Sequence, residues 1–95
     1  MADQQLELFS PASMRERLET INPDATIADG FDEALIGIDS LDCAVYSLPK
    51  LLGILMTRDN MAYDEALEFF YYNIERGARH HDYAPIFVYI GDEVI

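Results

Sequence analysis

Ninety-five residues, 51% of them apolar, are enough for one domain with a single core and too few for two. Eighteen Asp and Glu against six Lys and Arg leave a formal charge of −12 and a pI near 4.1. That balance sets the chain against direct binding of DNA or RNA, whose counterions only cations can replace, and against anionic membrane surfaces. No apolar run approaches the roughly 20 residues that span a bilayer, and MADQQLELFS lacks the basic-then-apolar order of a secretion signal. The lone Cys43 has no internal disulfide partner, so a reducing cytoplasm is expected, with Cys43 a small buried hydrophobe.

Residues 1–9 read as a partly ordered lead-in to a single domain over 1–95. Phe9-Ser10-Pro11 places a Ser N-cap before a Pro at the first helical position, with Phe9 able to staple against Met14. Met14, Leu18 and Ile21 then form one apolar stripe, and Asn22-Pro23 ends the helix. Residues 22–33 are turn-rich. Two short apolar runs, 34–38 and 43–46, flank DSLD (39–42) as a β-hairpin. Ser47 caps a second helix with Pro49 in its first turn, and Leu48, Leu51, Leu52 and Leu55 share its inner face. Gly53 inside that helix costs about 1 kcal/mol against Ala and is expected to permit a close packing approach.

The longest helical pattern covers 62–76, AYDEALEFFYYNIER. Tyr63, Ala66, Leu67, Phe70 and Ile74 fall on one face at 100° per residue, and Gly77 is the expected stop. A final strand, 85–90, begins with Pro85, which suits a sheet edge. The order α-β-β-α-α-β predicts an α+β domain. Its sheet is expected to be small, three-stranded and mostly antiparallel, with two or three helices packed on one face.

No pattern in this chain carries catalysis. The glycines are scattered rather than gathered in a phosphate-binding loop, and no cysteine pair offers a zinc site. His80 and His81 are adjacent and point different ways. With Asp82 they could supply only weak metal ligands, and an exposed loop is the plainer reading. The abundant carboxylates sit on a solvated helix face, where nothing raises a pKa for acid catalysis. No enzyme, cofactor or metal is expected.

Protein contact is the reading left. A strongly acidic surface attracts basic surfaces, which belong mostly to proteins that handle nucleic acid. On the long helix, Asp64, Glu65, Glu68 and Glu75 line the outer face. Asp64, Glu68 and Glu75 are separated by rises of about 6 and 10 Å at 1.5 Å per residue, which is of the order of phosphate spacing. Tyr72 lies within this face and Phe69 at its margin, as aromatic anchors of the kind found at interface hot spots. Asp64, Glu65, Glu68, Phe69, Tyr72 and Glu75 are therefore the candidate partner-binding residues. Two blander accounts of the charge compete with this one. It keeps a small protein soluble, or it marks a salt-adapted proteome, in line with Lys50 being the single lysine.

Residues 31–90 resemble a family of small, mostly uncharacterised proteins of tailed bacteriophages. The matching stretches are FDEALIGID (31–39), AVYS (44–47), LLGILMTRDNMAYDEALEFFYYNIERGA (51–78) and PIFV (85–88). The chain departs from the pattern in its charged loop His80-His81-Asp82-Tyr83 and in Ala62, where the family carries Ser or Thr. The resemblance implies a viral origin and action in the cytoplasm of a bacterial host, and it carries over no catalytic residue. Combined with the charge, it predicts an inhibitor of a host nucleic-acid-handling protein, of the anti-CRISPR or anti-restriction kind, working as a nucleic-acid mimic. The alternative is a structural or regulatory phage adaptor that assembles with itself, as a homodimer or larger.

Overall fold

A computed structural model describes residues 11–91, with side chains from position 14 onward. The Phe9–Ser10 cap, the Phe9–Met14 staple and Asp92 lie outside the described residues. The first helix, α1, runs Pro11–Ile21 and stops before Asn22-Pro23, as the proline requires. Leu18 is fully buried and Met14 packs on the core, but Ile21 is exposed, so the stripe turns outward at its last member. A 3₁₀ turn, Asp32–Ala34, leads into β1, Leu35–Ile38, and β2 follows at Ala44–Ser47. The turn between them is organised by Asp39, whose Oδ1 accepts from the N–H groups of Leu41 and Cys43 at 3.0 and 2.9 Å.

Ser47 ends β2 and caps α2, Leu48–Arg58, by accepting from Lys50 N–H at 3.2 Å, with Pro49 in the first turn. Leu48, Leu51, Leu52 and Leu55 are all buried. Gly53 does not serve a close approach. A Cβ built there meets nothing within 4 Å. The long helix then runs as α3, Tyr63–Phe69, a π-helical segment, Phe70–Glu75, and a last short α4, Arg76–Ala78. Gly77 is thus part of the helix rather than its stop. The final strand β3 is Ile86–Val88, shorter than the apolar run that contains it.

The sheet order is β1-β2-β3, and the sheet is mixed. β1 and β2 form the antiparallel hairpin, whereas β3 pairs with β2 in parallel, Tyr46 opposite Phe87. A parallel neighbour needs a long crossover, and the helices over 48–78 supply it. A bulge between Leu35 and Gly37 rephases β1: Leu35 faces Tyr46 while Ile38 faces Ala44. Tyr46 and Ala44 are two apart and share a face, so the extra residue puts both Leu35 and Ile38 on the core side. The row Leu35–Tyr46–Phe87 then crosses the sheet, and Phe70 of the π segment meets Phe87.

Candidate functional site

The long helix meets solvent along one flank, and its first turn shows why. Ala62 at the N-cap has no side-chain oxygen, so only half of a capping box can form. Glu65 Oε1 accepts from Ala62 N–H at 3.1 Å, satisfying one of the helix's orphan donors. Glu65 therefore holds the helix start together. Asp64 and Glu68 are exposed, and among the described residues no cation pairs with either. They lie 40° apart around the axis.

From Phe70 the winding widens. Phe70 N–H is shared between the carbonyls of Ala66 and Leu67, and Arg76 N–H reaches back five residues to Tyr71 O. One extra residue in the turn rotates everything after it by about 100° relative to an unbroken α-helix. Glu75 is thereby carried off the line through Asp64 and Glu68. Its side chain is only 31% exposed and is ion-paired with Arg79. The expected three-carboxylate row is reduced to Asp64 and Glu68. Phe69 is half-buried against the core rather than free at the margin. Tyr72 stands 64% exposed, with the Arg76 guanidinium 5.9 Å from its ring centroid.

A neighbouring feature was not among the expected site residues. Tyr63, expected on the buried face, is 41% exposed, and Tyr71 is 46% exposed. Tyr89, beyond the end of β3, is 60% exposed. Desolvation first, then the nearness of the Tyr63 and Tyr71 phenols, then a hydrogen bond with Tyr63 raise the Tyr89 pKa above its ordinary value.

Half of the protein's six Lys and Arg residues, Arg15, Arg58 and Arg79, are ion-paired within the chain. Arg15 Nη1 donates to both Asp32 carboxylate oxygens at 3.0 and 2.9 Å, and its Nη2 to Asp29 at 3.1 Å. Those two acids, Asp32 first, raise the Arg15 pKa. Arg58 pairs with Asp59, donates to Gly30 O at 2.8 Å and lies 4.8 Å over the Phe31 ring. Gly30 accommodates that contact at φ +90°, a conformation glycine adopts without penalty.

Cys43, His80 and His81 are the other side chains singled out in the sequence. Cys43 is buried, and desolvation, then the charges of Asp39 and Asp42, raise its thiol pKa, away from the reactive thiolate. His80 and His81 are exposed, and among the described residues no three His, Cys, Asp or Glu side chains converge to hold a metal. A cleft of about 290 Å³ lies between the 26–31 loop and the end of the long helix, lined by Thr26, Asp29, Phe31, Asn73, Ile74 and His81 among others. Its one carboxylate is already engaged by Arg15. No described helix is long and apolar enough to cross a membrane. Compared with known proteins, the chain matches no family model, no curated protein and no solved structure.

Proposed function

We propose that this chain acts by contact, as a phage-encoded inhibitor that docks on a basic surface of a host nucleic-acid-handling protein such as a CRISPR effector, a restriction enzyme or a transcription factor. The observation that supports this reading best is the division of charge. Arg15, Arg58 and Arg79 are bound to the protein's own carboxylates, while Asp64 and Glu68 face outward without a described cation. The net charge is −12, and a charge of that size steers encounter with cationic partners. Mimicry here rests on the field of the acidic face with its exposed tyrosines, not on a regular row of phosphate-like groups.

The test is capture of host proteins on the immobilised chain, beside an Asp64→Lys/Glu68→Lys variant, after nuclease treatment. Proteins held by the parent, lost by the variant and released as salt rises well above about 0.15 M meet the proposal. A set that ignores both the variant and the salt refutes it. Self-assembly into an adaptor is the second reading, favoured by the position of β3 at the sheet edge. The elution volume of the purified chain, with and without the captured protein, separates the two.

A further inference from the structure

We infer that the cleft between the 26–31 loop and the end of the long helix is a socket for one arginine side chain of the partner. This inference rests on the reading that the partner is basic, and adds where a single cation is held and what distinguishes it from other groups.

The loop wall of the cleft is fixed from four directions. Thr26 N–H donates to Tyr83 O at 3.1 Å, and Ala28 N–H to the Tyr46 hydroxyl at 2.9 Å. Arg15 Nη2 donates to Asp29 Oδ1 at 3.1 Å, and Arg58 Nη1 to Gly30 O at 2.8 Å. A loop tied at 26, 28, 29 and 30 needs little further ordering when a ligand arrives, which is the cost that preorganised sites avoid. The facing wall is the end of the π segment and α4, with Asn73, Ile74 and Gly77 along it. Gly77 carries no side chain, and a Cβ built on it meets nothing within 4 Å. The helix wall is therefore open at that point. The cleft holds about 290 Å³, the small end of ligand sites, which suits one side chain rather than a larger molecule.

The lining chemistry decides the occupant. Ile27, Ile74 and Pro85 offer apolar surface, and Thr26, Asp29 and Asn73 offer acceptor oxygens. Arg15 is held chiefly by Asp32, through both carboxylate oxygens at 3.0 and 2.9 Å. It takes only Oδ1 of Asp29, whose side chain stays 85% exposed. Among the described residues no donor reaches Asp29 Oδ2. Two acids can thus answer two cations, Asp32 the internal one and Asp29 an incoming one. Asp29 and the net charge of −12 oppose a phosphate or a carboxylate, and a neutral aromatic side chain leaves the free oxygen unanswered. An arginine lays its aliphatic stem along apolar surface and keeps its head at the polar rim. Its guanidinium has five donors and no acceptor, in a planar fork that bridges two oxygens, where lysine brings a point charge.

The experiment titrates N-acetyl-arginine amide into the full chain, beside the matching lysine, tyrosine and glutamate derivatives, and follows amide NMR shifts. Expected is saturable binding of the arginine probe, tighter than that of the other three, with shifts centred on 26–31 and 73–81. Asp29→Asn, which keeps the shape and removes the charge, should weaken it about tenfold, as for loss of a charged hydrogen-bond partner. Gly77→Leu should abolish it by filling the opening. Circular dichroism of each variant verifies the fold. Asp64→Lys/Glu68→Lys, at positions that do not line the cleft, should change it by less than about twofold in physiological salt. Arginine shifts centred on 64–68 and unaffected by Asp29→Asn and Gly77→Leu would overturn the cleft and leave the basic-partner reading standing. A lysine probe that matches arginine, or a tyrosine probe that outbinds it at 26–31 and 73–81, would overturn the assignment of arginine. If no probe shifts those residues the cleft is likewise overturned, while the basic-partner reading is judged by the captured proteins and their loss in the Asp64→Lys/Glu68→Lys variant.

Discussion

Phe70 meets Phe87 edge-on, with ring centroids 4.8 Å apart and planes at 82°, and Tyr46 stacks on the same Phe87 at 5.6 Å. This contact fixes the π segment of the long helix to β3. Phe70 is 1% exposed. Phe70→Ala should cost about 3–5 kcal/mol, combining lost burial with a cavity. For a domain of this size that lowers Tm by more than about 10 °C. A thermal melt shifted by only a degree or two would mean that the helix does not depend on this contact.

Gly53 gives a prediction of opposite sign. It sits inside α2, where a Cβ meets nothing within 4 Å, so Gly53→Ala should stabilise by about 0.5–1 kcal/mol. Chemical denaturation should show a higher midpoint with an unchanged slope. A destabilised variant would indicate that α2 needs the bare backbone.

Tyr46 predicts the alkaline limit. It is fully buried, and its hydroxyl accepts from Ala28 N–H at 2.9 Å. Burial above all pushes its pKa up to about 12 from 10.0. The folded state thus keeps a proton that the unfolded chain releases near pH 10. The stability this represents is intact below about pH 10 and is lost as the pH climbs toward 12. The loss totals about 2–3 kcal/mol, at 1.36 kcal/mol per pKa unit. Urea melts from pH 8 to 11 should show stability falling only at the alkaline end, and Tyr46→Phe should flatten that fall. A decline already complete by pH 9 would assign it to other groups.

Local chemistry was legible in the sequence and non-local chemistry was not. Ser47 with Pro49 announced a helix start, and the leucine spacing of α2 announced its buried face, because both depend on neighbours within one turn. The α+β class and the element order followed from the same periodicities. The parallel partner of β2 was not readable, since pairing of β3 is decided by the path of a crossover rather than by three residues of strand. No residue type marks the π segment, so Glu75 read as aligned with Glu68 when the wider turn carries it away. Glu65 is exposed as expected, but its bond from Ala62 N–H was hidden because Ala62 leaves out the Ser or Thr half of the capping-box signature. Among the candidate residues Asp64, Glu68 and Tyr72 are exposed as expected. The exposure of Tyr63, which the helical period puts on the buried face, was not readable from periodicity.

For a captured basic partner, Glu68→Lys should weaken binding by about tenfold or more, because an attractive pair becomes a repulsive one. Stability should move by less than about 0.5 kcal/mol, since Glu68 is a surface charge away from the core. Affinity from titration calorimetry, beside thermal melts of the same variant, checks both halves. Unchanged affinity would remove the outer helix face from the interface.

The central claim is that this acidic face takes the place of nucleic acid on its partner. Competition measures that directly, with a labelled oligonucleotide bound to the captured partner and its anisotropy followed as the chain is added. The account predicts a fall to the value of free oligonucleotide, with the required concentration rising as salt is raised. A rise in anisotropy, reporting a ternary complex in which partner, oligonucleotide and chain bind together, would contradict it.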